Sequence, residues 1–257
     1  MGSLHLSLSQ IDSPLSPKDD PKYHIEEAIN NFNNTLFILK TCDYQYIDAI
    51  DNLATSQILL SQTEPSWKSK YLINNSIDIL ESSLKFYLKN NYSIDIAKTM
   101  NDQGVAFYYR SMVTGREIDL TEALNKSQIA LEMFKSFDLP LDYATAKFNQ
   151  GMAYERLAYL NNYKRDNLEK ARDSYKEAIR IWRDNECILD SAYAENILGN
   201  IYYDLSKISR KDSEDYFENL DNAKIAYDMA LFTFTKEDYP EMHKIVEGNK
   251  KSAENPL

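Results

Sequence analysis

The sequence predicts an all-α chain, an α-solenoid of antiparallel helix pairs in series, and three observations predict it. Glycine and proline are scarce, 6 and 7 in 257 residues, too few to turn the many short strands of a sandwich or barrel. The segments 96–107, 143–154 and 191–202 share one pattern: a glycine with an alanine seven residues before it and an aromatic three after it. These triplets are Ala97, Gly104 and Phe107; Ala144, Gly151 and Tyr154; Ala192, Gly199 and Tyr202. Spacings of seven and three keep residues on one helical face. A second stripe then follows each segment, Leu168, Ala171, Tyr175, Ala178 and Trp182 being the clearest copy.

That stripe returns as Leu220, Ala223, Tyr227, Ala230 and Phe234, and earlier as Leu120, Ala123, Ser127, Ala130 and Phe134. Upstream it continues as Ile73, Ser76, Leu80, Ser83 and Tyr87, and as Ile25, Ala28, Phe32, Thr35 and Leu39. The interval from its small residue to the small residue of the next first helix is always 21: Thr35 to Ser56, Ser83 to Gly104, Ala130 to Gly151, Ala178 to Gly199. A constant interval implies a fixed turn between pairs. The interval from the first-helix small residue to the earlier small residue of the following stripe (Ser76, Ala123, Ala171, Ala223) varies between 19 and 24 residues, so the turn inside each pair tolerates length change. Small residues let two backbones approach while aromatics fill the space beside them. A glycine inside a helix costs about 1 kcal/mol relative to alanine, and close packing compensates.

In chain order the pattern places helices at 22–41, 44–61, 68–89, 93–113, 117–137, 141–161, 166–184, 189–208, 214–235 and 240–249. Gly115 can stop the fourth, since glycine accepts the left-handed conformation beyond a C-terminus. Pro140 starts the sixth and Asp142 suits its dipole. Asp166 or Asn167 can cap the seventh. Residues 1–21, with Pro14, Pro17 and Pro21 among polar residues, read as a flexible tail, and 22–236 as the repeat domain. Residues 237–257 read as a capping helix and tail whose apolar side is Met242, Ile245 and Val246.

Other classes are excluded or disfavoured by composition. No apolar run approaches the roughly 20 residues of a membrane span, and the N-terminus lacks the pattern of a signal peptide. Cys42 and Cys187 are therefore expected as free thiols in a reducing compartment, which points to the cytoplasm. The net charge of −11 opposes nonspecific binding to nucleic acid. His5, His24 and His243 lie in separate segments without metal-ligand spacing, so neither metal, cofactor nor catalytic constellation is expected. Residues 164–183 form a basic but mixed helix, whereas Asp212, Glu214, Asp215, Glu218 and Asp221 form an acidic patch. Such patches read first as solvated faces and second as partner-selecting surfaces.

The glycine–aromatic and Ala-x3-Tyr-x2-Ala residues, Gly151 and Tyr154 with Ala171, Tyr175 and Ala178, and Gly199 and Tyr202 with Ala223, Tyr227 and Ala230, resemble the tetratricopeptide repeat (TPR). Gly104 and Phe107 with Ala123 and Ala130 are a weaker copy. The resemblance spans 22–235 and is strongest after residue 93. It departs from the family in period (near 48 here against about 34), in the missing tryptophan, whose slot holds Met100, Lys147 and Glu195, and in the missing proline between repeats. The long unit is similar to TPR arrays found beside caspase-like (CHAT) protease domains.

What the resemblance implies is a right-handed superhelix whose first helices line a concave groove. The groove positions are Lys98, Asn101, Val105 and Tyr108; Thr145, Phe148, Met152 and Glu155; and Tyr193, Asn196, Asn200 and Tyr203. The earliest pair offers Ile50, Leu53, Gln57 and Leu60. The partner-binding set is thus expected to be Lys98, Asn101, Tyr108, Phe148, Glu155, Tyr193, Asn196, Asn200 and Tyr203, with the Asn196 and Asn200 amides clamping a peptide backbone. The expected function is a non-enzymatic scaffold for a protein or peptide. The alternative is a sensor subunit that binds a small ligand or nucleotide and controls an effector enzyme. An array with unsealed ends can also pair with a second copy, so a homodimer stays open.

Overall fold

The computed structural model describes residues 21–38 and 44–256, and among them it contains ten helices and no strand. The proposed tail up to residue 20, Leu39 and Cys42 lie outside the described residues. The chain divides between Leu139 and Pro140 into two compact units. In the first, α1 (Pro21–Ile38), α2 (Tyr44–Ser61), α3 (Ser66–Asn90), α4 (Ser93–Thr114) and α5 (Glu117–Ser136) pack each on the next. In the second, α6 (Pro140–Leu160), α7 (Lys164–Asp184), α8 (Ile188–Ile208) and α9 (Glu214–Thr233) do the same, and α10 (Pro240–Glu254) lies against α9 and α8.

The stripe residues form the cores. Ser83, Ala130, Ala178 and Ala230 are completely buried, as are Leu80, Leu120, Leu168, Tyr175 and Tyr227. Each register glycine stands against the aromatic slot of its partner helix. A methyl group added at Gly151 would lie 2.8 Å from the Tyr175 ring, and one at Gly199 would lie within the Tyr227 ring's contact radius. At Gly104, where the slot is Ser127, the methyl would meet the Ser127 hydroxyl at 2.9 Å and the Ala123 carbonyl at 3.2 Å. The glycines therefore make room for the partner tyrosine, or for the partner backbone where the tyrosine is missing.

The constant interval corresponds to one turn used repeatedly. Asn91, Asp138 and Glu186 each lie eight residues after the small stripe residue, and each adopts φ near +60° (57°, 54° and 60°). In each turn the next N–H reaches back to the carbonyl of the last aromatic of the stripe: Tyr92 to Tyr87 at 3.0 Å, Leu139 to Phe134 at 3.0 Å, Cys187 to Trp182 at 2.8 Å. The left-handed residue donates to the following carbonyl, completing a Schellman ending. The Tyr87 and Tyr92 rings, 6.2 Å apart, add the side-chain contact that often accompanies this ending.

The turns inside the pairs differ from one another. Gly115, at φ 68°, closes α4, and Ser213 caps α9 through the Tyr216 N–H. Helix α7 begins at Lys164 without a side-chain cap, correcting the expectation of Asp166 or Asn167 there. Asn167 is buried instead, with its amide on the Asn161 side-chain oxygen at 3.0 Å. The residue before the stripe leucine is buried and polar in all three later pairs: Asp119, Asn167 and Asn219. Asp119 accepts from Arg110 at 3.0 and 2.7 Å and from Thr114 at 2.9 Å, while Asn219 donates to the Asp215 carbonyl at 2.7 Å. In α10, Val246 and Ala253 are fully buried whereas Ile245 is exposed, so the apolar side runs through Val246 and Ala253.

Between α2, α3 and α4 sits a carboxylate with a pH consequence. Asp51 is pushed up to about 6, chiefly by burial and further by the charges of Asp48 and Asp95, against opposing hydrogen bonds from Ser83 and Tyr87. A raised carboxylate disfavours the ionised form in the fold. Its contribution is complete below the unfolded value of 3.8 and is lost as pH rises through about 6. The first unit should lose about 1–2 kcal/mol of stability between pH 5 and pH 7.5. Urea unfolding at the two pH values checks this: Asp51→Asn should flatten the dependence, and an unchanged slope would refute the assignment.

Candidate partner-binding face

The predicted partner-binding set falls on α4 in the first unit and on α6 and α8 in the second, and the groove positions of the earliest pair, Ile50, Leu53, Gln57 and Leu60, fall on α2. On α4, Lys98 is exposed, Tyr108 is half-buried with its ring edge-on to Tyr109 at 5.1 Å, and Asn101 is buried. On α6, Phe148 is half-buried among the rings of Tyr175, Trp182 and Tyr193, at 5.3, 5.5 and 6.1 Å. It thereby joins α6 to α7 and α8. Tyr193 is half-buried, and both burial and the Glu155 charge push its hydroxyl up.

The two asparagines of the expected clamp are engaged within the fold. Asn196 is 6% exposed and its side-chain oxygen accepts from Asn249 of α10 at 3.0 Å. Asn200 is half-buried and accepts the Tyr227 hydroxyl at 2.8 Å. The register explains both. Asn196 faces the helix that follows in the array, and Asn200 sits one residue past Gly199, where the tyrosine admitted by that glycine ends.

What α6 and α8 present together is a set of tyrosines and carboxylates toward their C-terminal ends. Glu155 accepts the Tyr175 hydroxyl at 2.8 Å. Burial and the nearby Asp204 charge push Glu155 up, while the Tyr175 bond opposes them. Asp204 accepts the Tyr159 hydroxyl and pairs with Lys207 at 3.2 Å. Lys207 lies over the Tyr203 ring at 3.8 Å, and Lys164 over the Tyr159 ring at 5.1 Å. The carboxylates raise the Tyr159 hydroxyl further above its ordinary value than burial alone would, so this phenol stays a protonated donor. Tyr159 is about half exposed and Tyr203 half-buried. Aromatic rings with polar rims and exchangeable lysine contacts suit a peptide chain carrying its own cations and amides.

No protein-family model matches the chain, and no curated protein matches it. Tyr159, Asp204, Lys207 and Lys164 were absent from the predicted set. Continuing the groove series by one turn beyond position four would have found Tyr159 and Lys207, eight residues after Gly151 and Gly199. Asp204, at position five, lies off that series and is brought in by the Tyr159 hydroxyl.

The remaining chemistry-bearing residues are dispersed. Among the described residues no group of three or more His, Cys, Asp or Glu could hold a metal ion, and no helix is long and apolar enough to cross a membrane. Cys187 is half-buried, and burial with the Asp190 charge pushes its thiol up, which lowers its thiolate fraction. His243 contacts the Phe234 carbonyl at 2.9 Å. The basic helix and the acidic patch meet inside the second unit, where Arg165 reaches Asp215 at 3.2 Å.

Proposed function

We propose that the chain is a long-period, TPR-like, right-handed α-solenoid that binds a protein or peptide along the face of α6 and α8. Tyr159, Tyr203 and Asp204 form the contact set there, with Glu155 engaged beneath them by Tyr175, and Lys98 and Tyr108 form the corresponding set on α4. The reading rests on one observation. Tyr159 stays about half exposed with its hydroxyl on Asp204, and Tyr203, half-buried against the core, keeps a partly accessible ring under Lys207. Pre-ordered aromatic side chains give contact area at low entropic cost. The role is that of a non-catalytic scaffold.

The test is capture of cross-linked protein from the cells that make the chain, with wild type compared to Tyr159→Ala with Tyr203→Ala. The double variant should keep its helical circular dichroism and lose the specific capture by about tenfold. Lys176→Ala, on the outer face of α7, should retain it. Equal capture by the double variant would remove this face from the function. A thermal shift with a nucleotide or metabolite, abolished by the same pair of changes, would favour a ligand sensor instead.

A further inference from the structure

The second helices share one packing register, so their outward positions can be compared directly. At the positions where α7 carries Arg165, Asp173, Glu177 and Arg180, α3 carries Lys70, Asp78, Ser82 and Lys85. Helix α5 carries Glu117, Asn125, Ile129 and Glu132 there, apolar at one position of four. Helix α9 carries Phe217, Ile225, Met229 and Phe232. All four are exposed, Phe232 at 87%. The inward stripes of α7 and α9 agree at four positions of five, with Phe234 in place of Trp182, so packing of the pair does not require apolar residues on the outside.

Spacings of eight, four and three keep these four side chains along one face of α9. The face is acidic as well as apolar: Glu214, Glu218, Asp221 and Asp228 are exposed within it. Lys224 pairs with Asp221 at 3.1 Å and Lys250 with Asp228 at 2.6 Å. Glu214 and Glu218 form no ion pair among the described residues, so carboxylates outnumber cations. From Phe217 to Phe232 the face runs about 22 Å, or four helical turns.

We propose that the outer face of α9 is a second docking surface, distinct from the α6–α8 face, and that its occupant is a basic amphipathic helix from another protein. Leucine- or phenylalanine-type anchors of such a helix cover Phe217, Ile225, Met229 and Phe232, and its lysines or arginines meet Glu214, Glu218, Asp221 and Asp228. Charge sets the choice of occupant. The carboxylate excess attracts a cationic segment and repels a second copy presenting the same acidic face, as well as an anionic lipid surface.

The experiment uses the full-length chain and a fluorescein-labelled 18-residue peptide of leucine and lysine with the leucines on one helical face. A peptide of the same composition in scrambled order is the control, and binding is followed by anisotropy. The test variant is Ile225→Asp with Phe232→Arg. It installs the residues α7 already carries in this register and leaves the net charge unchanged, so lost affinity reports lost apolar contact. The variant should bind the amphipathic peptide at least about tenfold more weakly, with unchanged circular dichroism. Wild-type affinity should fall as salt is raised, and Tyr159→Ala with Tyr203→Ala should leave it intact. The assignment would be overturned by equal binding by the variant, by equal binding of the scrambled peptide, or by a wild-type dimer that Phe232→Arg dissociates in light scattering. Loss of peptide binding in the Tyr159 and Tyr203 variant would place the peptide on the α6–α8 face instead.

Discussion

Replacing Gly199 with alanine should destabilise the second unit by about 2 kcal/mol, although alanine is the better helix former by about 1 kcal/mol. The added methyl would lie 2.6 Å from Cδ1 of Tyr227, closer than real side-chain carbons come. The ring cannot step aside, because it is fully buried and its hydroxyl is held by Asn200 at 2.8 Å. Separation of α8 from α9, or rotation of Tyr227 out of its rotamer, is the remaining relief, and either loses packing over the whole pair. Gly248→Ala in α10 is the matched control. It meets nothing within 4 Å and should gain about 0.5–1 kcal/mol. Urea unfolding followed by Trp182, buried in the same unit, reads both. A stabilised Gly199→Ala protein would mean that α8 and α9 do not approach as described.

Arg110→Leu should cost the first unit about 3–5 kcal/mol, more than any other single change considered. Asp119 is buried at the start of α5, and its carboxylate is satisfied by the Arg110 guanidinium and the Thr114 hydroxyl. Arg110 also stacks over the Phe107 ring at 4.6 Å. Removing the guanidinium leaves a buried anion with one hydroxyl donor. The other pairs show what repairs it. In the register of Arg110 and Asp119, the second unit holds Leu157 with Asn167 and Leu205 with Asn219, all buried. Arg110→Leu with Asp119→Asn should therefore recover most of the loss, because both halves of the ion pair are then replaced together. Urea unfolding by circular dichroism gives the comparison. Failure of the double change to recover would show that the pair has a role beyond mutual neutralisation.

Most of the fold is legible in the sequence because the pattern it reads is the packing itself. Gly151 opposite Tyr175 and Gly199 opposite Tyr227 are visible as spacings before they are visible as contacts. The 21-residue interval is legible as a fixed turn, but its mechanism is not. Asn91, Asp138 and Glu186 share a conformation without sharing a residue type, so only their place in the register marks them. The start of α7 was missed because Asn167 resembles a helix cap while serving as a buried anchor for Asn161.

The candidate face was less legible, because groove positions were assigned by spacing from the small residue alone. Spacing gives the direction of a side chain on its own helix and does not say what a later helix places over it. Asn196 is covered because α10 supplies Asn249, and Asn200 because Tyr227 is long enough to cross the pair. Tyr159 and Asp204, from different helices, are brought together by a hydroxyl–carboxylate bond that no single-helix periodicity encodes. The outer face of α9 is the reverse case. Its four apolar residues stand out only against the charged residues of the same register in α7.

The central claim is that small residues on the first helices and ring positions on the second helices act as pairs that set the approach of each hairpin. A double-mutant cycle joining Gly199→Ala with Tyr227→Leu tests it most directly, since the earliest full pair already combines Ser56 with Leu80 at these positions. If the two sites are a pair, the smaller leucine accommodates the methyl. The double variant should then be more stable than the sum of the single losses by about 1–2 kcal/mol. Single losses that simply add, with no coupling between the two positions, would contradict it.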